Sequence, residues 1–500
     1  MKTLSLSIVA AILLSGTQTF AGLPKRTLKP NNQETYNVKP VSVVSSNASS
    51  LLAMLGEGEF YGRLRLNTFS HDWGTQSASN QDNWATAIGV SLIYKTPYLN
   101  GFGATAGLYT SANPWHMDSA DVKYLKAGKD LTSRYNVANG DGWSMATFAQ
   151  AYLEYQSTGL SIKGGRQIVE SFLTASNDTK MIPNTFEGIS LETTRLPQTL
   201  FKAAYLTKEK LRDHETFHHL LAYGENTLTD PYGSWDENDD SAMHKGLTLS
   251  RLDANGIDDR LIVLEATNTS MENLTVLLNY TAVPELVSSA TIDTAYAIPL
   301  SNGMTLTPGL RYLKQFDNGA GAIGGASLAA KITSNDARGY TDPTSVNGGL
   351  FGAKMELAKG PWQLGVGYTK IADEGDLIAP WRGFPTAGYT RMMGQTNWIA
   401  NTKTTAIYGG YDFAKAGLIE GFAVKLGYAM QNFDDAKPDA QADSNAFTID
   451  FMKSFKSMPD LYTKIRMGFI NGDPYTAPAN AYTKADPSYQ DLRFEINYLF

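Results

Sequence analysis

The chain ends on thirteen residues, Ser488 to Phe500, in which Leu492, Phe494, Ile496, Tyr498 and Phe500 face one way while Asp491, Arg493, Glu495 and Asn497 face the other. This is a strand with an apolar face and a charged one, finishing on an aromatic residue. The same two-residue period recurs along nearly the whole chain. In the segment after Glu57, for example, Phe60, Gly62, Leu64 and Leu66 oppose Tyr61, Arg63, Arg65 and Asn67. A soluble sandwich can lean the apolar faces on a second sheet. A barrel with hydrocarbon outside and water within explains both faces together.

The two ends of the chain fit export. Met1-Lys2-Thr3 leads into the apolar stretch Leu4 to Leu14, followed by small residues up to Gly22, which reads as a signal peptide over 1–21. That stretch is too short for a spanning helix, no other run approaches one, and the mean hydropathy is -0.25. The sequence has no cysteine, so rigidity must come from hydrogen bonding and packing. Residues 22 to 48, rich in Lys, Pro, Asn and Ser, are expected to form a mobile stretch, and Ser49 or Ser50 can cap a helical turn over Leu51 to Leu55. Together these give a periplasmic extension over 22–56 and a barrel over 57–500. The net charge of -7 and the lack of any Lys/Arg cluster argue against a nucleic-acid partner.

About 18 segments carry the period, from 57–69, 84–96 and 100–110 at the start to 445–454, 459–471 and 488–500 at the end. An even number keeps both termini on one side of the membrane, so Gly246 to Leu252 is assigned to a loop. Connections alternate in length. Short turns such as Pro97 to Asn100, Leu300 to Gly303 and Ser457 to Pro459 separate long stretches at 111–142, 168–184, 208–259, 316–348 and 373–402. The fold class expected is all-β: a transmembrane, antiparallel, up-and-down β-barrel with long extracellular loops. Trp84, Tyr94, Tyr155, Trp362, Tyr368, Tyr428 and Tyr498 supply aromatic girdle residues, and the C-terminal strand is the signal expected to engage the barrel-assembly machinery.

Facing, referred to Phe500, places Arg493 in the lumen, then Lys464 and Arg466 one strand away, and Arg63 and Arg65 across the closure, with Lys425 and Arg311 further round. These cations can line the pore, or they can pair with Asp450, Asp491 and Glu495 to satisfy a polar interior. Inward Gly365, Gly367, Gly427, Ala429 and Gly468 leave volume for a folded loop, or relieve strain in a curved sheet.

Lys163-Gly-Gly-Arg166-Gln167 followed by Asn177-Asp178-Thr179-Lys180-Met181-Ile182-Pro183-Asn184-Thr185-Phe186-Glu187-Gly188 resembles the third-loop region of OprD-type outer-membrane porins. Ala282-Val283-Pro284 and, after a Gly-rich strand, Trp381-Arg382-Gly383 follow in the matching order. The resemblance covers residues 57 to 500, and the long extension 22–56 departs from it. It implies that the third and seventh loops fold inward to form a constriction that passes small hydrophilic solutes, and that the seven basic residues form a ladder guiding carboxylates. The constriction residues implied are Glu170, Asn177, Asp178 and Lys180 in the third loop, and Asp373, Glu374, Asp376, Trp381 and Arg382 in the seventh. With acids gathered on the loops opposite the basic wall, a transverse field would orient a zwitterion or small acid.

Chemistry of other classes has less support. His214-Glu215-Thr216-Phe217-His218 matches the H-E-x-x-H pattern and His219 adjoins it, but zinc hydrolysis would need both histidines on one helical face and a third ligand. The alternative function is therefore a barrel-anchored surface protein, metallopeptidase-like or adhesive, using His214, His218 and His219. All six histidines, at 71, 116, 214, 218, 219 and 244, are expected in loops, which leaves no Ser–His pair on the barrel wall for a phospholipase. Asp236, Glu237, Asp239 and Asp240 lack EF-hand spacing and read as a solvated tip, or as a cation-mediated contact to lipopolysaccharide. No cofactor and no catalytic residue are expected. The partners expected are outer-membrane lipid, lipopolysaccharide and small solutes.

Overall fold

The computed structural model describes residues 27–28, 34–35, 47–78, 80–125, 131–222, 224, 243–473 and 483–500. The signal segment 1–21 and the acidic cluster Asp236 to Asp240 lie outside these residues. Strands Glu59–Trp73 (β1), Asn83–Lys95 (β2), Phe102–His116 (β3), Ser144–Ser157 (β4), Leu160–Gln167 (β5), Thr185–Thr193 (β6), Thr199–Lys210 (β7), Leu261–Asn268 (β8) and Leu274–Val283 (β9) form the first half of the barrel. Val287–Tyr296 (β10, prolonged by Ile298–Pro299), Met304–Asp317 (β11), Gly348–Lys359 (β12), Trp362–Ile371 (β13), Lys403–Asp412 (β14), Phe422–Asn432 (β15), Ser444–Phe455 (β16), Met458–Gly472 (β17) and Tyr489–Leu499 (β18) complete it. Each strand pairs antiparallel with its sequence neighbours, and β18 pairs with β1 from Tyr489↔Trp73 to Leu499↔Arg63. Gly62 and Phe500 exchange backbone hydrogen bonds of 2.9 and 3.1 Å at the end of this seam. The sheet is therefore closed, leaving no strand edge to face lipid.

Alternation sets the two faces. Ile407, Leu426, Tyr428, Leu492 and Tyr498 are exposed on the outer wall, whereas the inward Ala406, Ala429 and Asn497 are buried. Trp84, Trp362 and Tyr368 join the outer set as girdle residues. Gly246 to Leu252 stays within a loop, where Leu249–Ala254 forms a helical turn. Ser50 caps the short helix Leu51–Gly56, its hydroxyl accepting from the Ala53 amide at 3.1 Å.

Three expectations change. β1 and β3 run on to Trp73 and His116, past the expected ends at 69 and 110, so His71 and His116 lie on strands. Beyond the hydrocarbon a strand's outer face can be polar, as at Ser70 and Asp72, and the apolar signal stops before the hydrogen bonding does. The connection from β9 to β10 is only Pro284-Glu285-Leu286, with Glu285 in the left-handed region (φ 66°), so one outer loop is a tight turn. Replacing outward Leu426 by Arg should lower barrel stability in bilayers by about 2–4 kcal/mol, whereas inward Lys425→Gln should change it by less than about 1 kcal/mol. Urea titration of both variants reads the difference, and equal effects would contradict the facing.

Candidate functional site: the loop-filled lumen

The outer mouth contains a core of its own. Phe186, Leu206, Leu220, Leu247, Leu261, Val287, Val346, Ile378 and Trp381 pack together, bringing the third, fourth (211–260), sixth (318–347) and seventh loops against the inner wall. Loop 3 (168–184) lies against β1 and β2. Asp178 Oδ2 accepts from Arg63 Nη2 at 2.6 Å and Oδ1 from Arg65 Nη1 at 2.7 Å, while Arg65 Nε donates to Asn497 Oδ1 at 2.8 Å. All three charged groups are buried. Two guanidinium groups converge on one carboxylate away from bulk water, an arrangement costly to break from one side. Arg63 and Arg65 thus face inward, but loop 3 seals them from the pore.

The rest of loop 3 is tied equally closely. Arg212 Nη1 donates to the Asn177 carbonyl and to Thr179 Oγ1, both at 3.0 Å. Lys180 is buried, with its ammonium 5.8 Å from the centre of the Phe69 ring. Glu170 accepts from the Ser176 amide at 2.9 Å, and its carbonyl accepts from Lys202 Nζ at 2.8 Å.

Loops 3 and 7 zip together. Ala175 N donates to Trp381 O and Gly383 N to Leu173 O, each at 3.0 Å, with Thr174 and Arg382 bridged between them. A Cβ on Gly383 would sit 2.3 Å from the Leu173 carbonyl carbon, so this approach requires glycine. Trp381 is buried, and its indole N–H donates to the Leu220 carbonyl at 2.8 Å. Arg311 on β11 clamps the far side of loop 7 (372–402): it pairs with Asp293 on β10, and its Nη1 donates to Pro385 O and Ala387 O at 2.8 Å. Tyr389 Oη donates to Asp293 Oδ1 at 3.0 Å and stacks its ring 4.3 Å from the guanidinium.

The inward glycines are where loop 7 rests. A Cβ at Gly367 would fall 2.3 Å from the Tyr389 carbonyl oxygen, at Gly427 2.7 Å from Met392 Sδ, and at Gly468 2.6 Å from Met393 Cε. Gly365 instead makes room for the Tyr408 ring on the next strand. Asp293, Tyr389, Met392 and Met393 were not singled out by the sequence. Asp293 could have been found from its cross-strand position opposite Arg311.

The acids of loop 7 are each bonded to a neighbour. Asp373 pairs at 2.6 Å with Lys437 of loop 8 (433–443), and Glu374 pairs at 2.8 Å with Lys314 on the outward side of β11. Asp376 is buried beneath the amides of Leu328 and Ala400 (both 2.9 Å) and the Tyr340 hydroxyl (2.8 Å), and burial raises its pKa. These three carboxylates brace the loop against loop 8, β11 and loop 6. Asp373 and Glu374 keep about half of their surface while paired, whereas Asp376 is enclosed.

Beneath loop 7, towards the turn end of the barrel, runs a row of charged groups. Arg466 engages both oxygens of Asp450 at 2.5 Å, Lys464 approaches the same carboxylate at 3.3 Å, and Arg493 holds Asp491 at 2.8 and 3.0 Å. Lys425 is inward, exposed and paired in register with Asp450. The register Gly427↔Thr448↔Gly468 lies two residues outward of Lys425↔Asp450↔Arg466, so the cations sit one layer below the methionines of loop 7.

The histidine motif does not form a zincin helix. Residues 214–218 are non-helical, His214 Nδ1 lies 2.8 Å from His218 Nε2, and Glu215 accepts from the Ala146 amide at 2.8 Å and from Asn136. His219 faces Asp259 at 3.4 Å. Among the described residues no group of three or more His, Cys, Asp or Glu could hold a metal ion.

A family described as outer membrane porin, OprD family, matches residues 63–430. Solved structures share the fold. Pseudomonas aeruginosa OpdQ is 17% identical, with a TM-score of 0.63 over 89% of this chain and 98% of that one. Acinetobacter baumannii OccAB3 is 14% identical, with a TM-score of 0.67 over 89% and 99%. Acinetobacter baumannii OccAB1 is 14% identical, with a TM-score of 0.64 over 92% and 99%. No curated protein matches the sequence.

Asp178→Ala should cost about 3–5 kcal/mol through the stranded arginines. Because the barrel seam remains, the expected result is release of loop 3 and a larger single-channel conductance; unchanged conductance and stability would refute the anchor. His244 gives a pH signature. It is buried, accepts from the Gly246 amide at 3.1 Å through Nδ1, and donates from Nε2 to the Gly325 carbonyl of loop 6 at 2.8 Å. Burial lowers its pKa to about 4. The folded state thus favours neutral imidazole, so this loop 4–loop 6 contact is fully stable above about pH 6.5 and weakens as pH falls towards 4. The protection factors of the amides at 244–247, each referred to the intrinsic exchange rate at the same pH, should fall over that window, and His244→Gln should flatten the response.

Proposed function

Because the chain belongs to the OprD family of outer membrane porins and is a channel for small solutes in that membrane, we propose that its aperture favours small carboxylate-bearing solutes, amino acids among them. Family and fold are those of a channel rather than an enzyme. The observation that carries the proposal is the charged row directly beneath loop 7. Lys425, Lys464, Arg466 and Arg493 there outnumber Asp450, Asp491 and Glu495 by one, and Lys425 and Arg466 keep exposed surface in the lumen. A solute leaving the loop constriction meets these groups next. Paired cations attract a carboxylate weakly enough to let it go, which is what conduction requires.

The remaining wall and loop residues divide by role. Arg63, Arg65 and Arg311 act with Asp178 and Asp293 as loop anchors. Glu170, Asn177, Lys180, Trp381 and Arg382 shape the constriction without presenting a bare charge to it. The same reading includes a signal peptide over 1–21, a periplasmic extension over 22–56, delivery to the barrel-assembly machinery through the aromatic C-terminal strand, and contact of the outer loops with lipopolysaccharide.

Replacing Lys464 and Arg466 together by Gln leaves Asp450 opposed only by Lys425. The reversal potential in a salt gradient should move towards cations, with a change of about two- to fivefold in permeability ratio, the size expected for roughly 0.5–1 kcal/mol of local potential. Planar-bilayer recording measures it, and an unchanged reversal potential would remove the basic row from selectivity.

A further inference from the structure

The helix Leu51–Gly56, just before β1, has an apolar face that none of the described residues covers. Leu51, Leu52 and Leu55 fall within about a third of the helix circumference, and they are 62%, 82% and 56% exposed, while Met54 on another side is buried. The helix contains no charged residue. Its position is fixed at both ends. Upstream, the Ala48 amide donates to the Tyr98 carbonyl in the turn between β2 and β3 at 2.8 Å. Downstream, the Leu55 carbonyl accepts from Tyr94 Oη at 2.5 Å, and Gly58 N donates to the same hydroxyl at 3.1 Å.

Tyr94 is on the outward face of β2, near its turn end. Its ring packs 4.6 Å from Phe60, and the neighbouring strands continue this outward aromatic band with Phe102 and Tyr155, 4.9 Å apart. Phe60 and Phe102 are exposed, as girdle residues facing lipid are. The three leucines therefore extend the barrel's lipid-contacting band at its periplasmic rim.

We propose that Leu51–Gly56 is an interfacial anchor whose leucines enter the periplasmic leaflet of the outer membrane beside Tyr94 and Phe60. An uncharged helical turn carrying three leucines gains by leaving water, and its hydrogen bonds to a girdle tyrosine set it at the depth where amphipathic segments bind. The anchor fixes where the N-terminal extension joins the barrel.

The absence of cysteine makes the test clean. Leu52→Cys in the full-length protein is labelled with an environment-sensitive fluorophore and reconstituted in phosphatidylcholine vesicles, with and without bromine on the upper acyl chain. Phe60→Cys serves as the lipid-facing reference, and Ala78→Cys at an exposed position in the first outer loop as the aqueous one. The expected result is blue-shifted Leu52 emission, quenched by brominated lipid comparably to Phe60 and protected from iodide. Emission at Leu52 matching that at Ala78, while Phe60 still reports lipid, overturns the anchor and leaves the porin reading intact. Blue-shifted emission that brominated lipid does not quench means that protein covers the face, which also overturns it. If Phe60 itself reports water, the membrane reading on which the proposal rests has failed.

Discussion

Hydrocarbon supplies no hydrogen-bond partners, and this constraint shapes the rest of the molecule. Every backbone amide and carbonyl crossing the membrane must find its mate on a neighbouring strand. The sheet therefore closes, and the β18–β1 seam, finished by the exchange between Gly62 and Phe500, carries the same requirement as every other pairing. Closure produces an interior, and the side-chain alternation fixes which residues enter it.

A closed wall of eighteen strands encloses more space than its side chains fill. The outer loops take up the difference by two kinds of force. Apolar residues from four loops form a core inside the mouth, centred on Trp381 and the leucines around it. Buried charge pairs then fix its register: Asp178 on Arg63 and Arg65, and Asp293 on Arg311, which also holds loop 7 by its carbonyls. Such pairs add little net stability by themselves, because desolvation offsets their attraction, but they penalise any other seating of the loop. The glycines at 367, 427 and 468 complete the arrangement by removing wall volume where Tyr389, Met392 and Met393 come to rest.

The selectivity proposed above rests on what remains after this anchoring. Of seven basic residues placed in the lumen by alternation, three are consumed in holding loops and four stay on the wall beneath them, most of them sharing a carboxylate. The wetted field is consequently softer than the raw count of arginines implies. A gentle, local bias suits a channel that must release what it attracts.

The sequence by itself determined the closed barrel, the inward or outward facing of each strand residue, and the sides on which turns and loops lie, because a strand's two-residue period is local and lipid enforces it at every step. It also marked the inward glycines as places where a loop could pack. It did not disclose which partners Asp373, Glu374 and Asp376 take in bracing loop 7, that Arg63 and Arg65 are sealed, or that Asp293, Tyr389 and the two methionines hold the loop in place. Those outcomes depend on contacts between residues tens to hundreds of positions apart, such as Arg63 with Asp178 and Trp381 with Leu220. Loops have no repeating period to announce where they land; the walls and neighbouring loops of the folded barrel decide it.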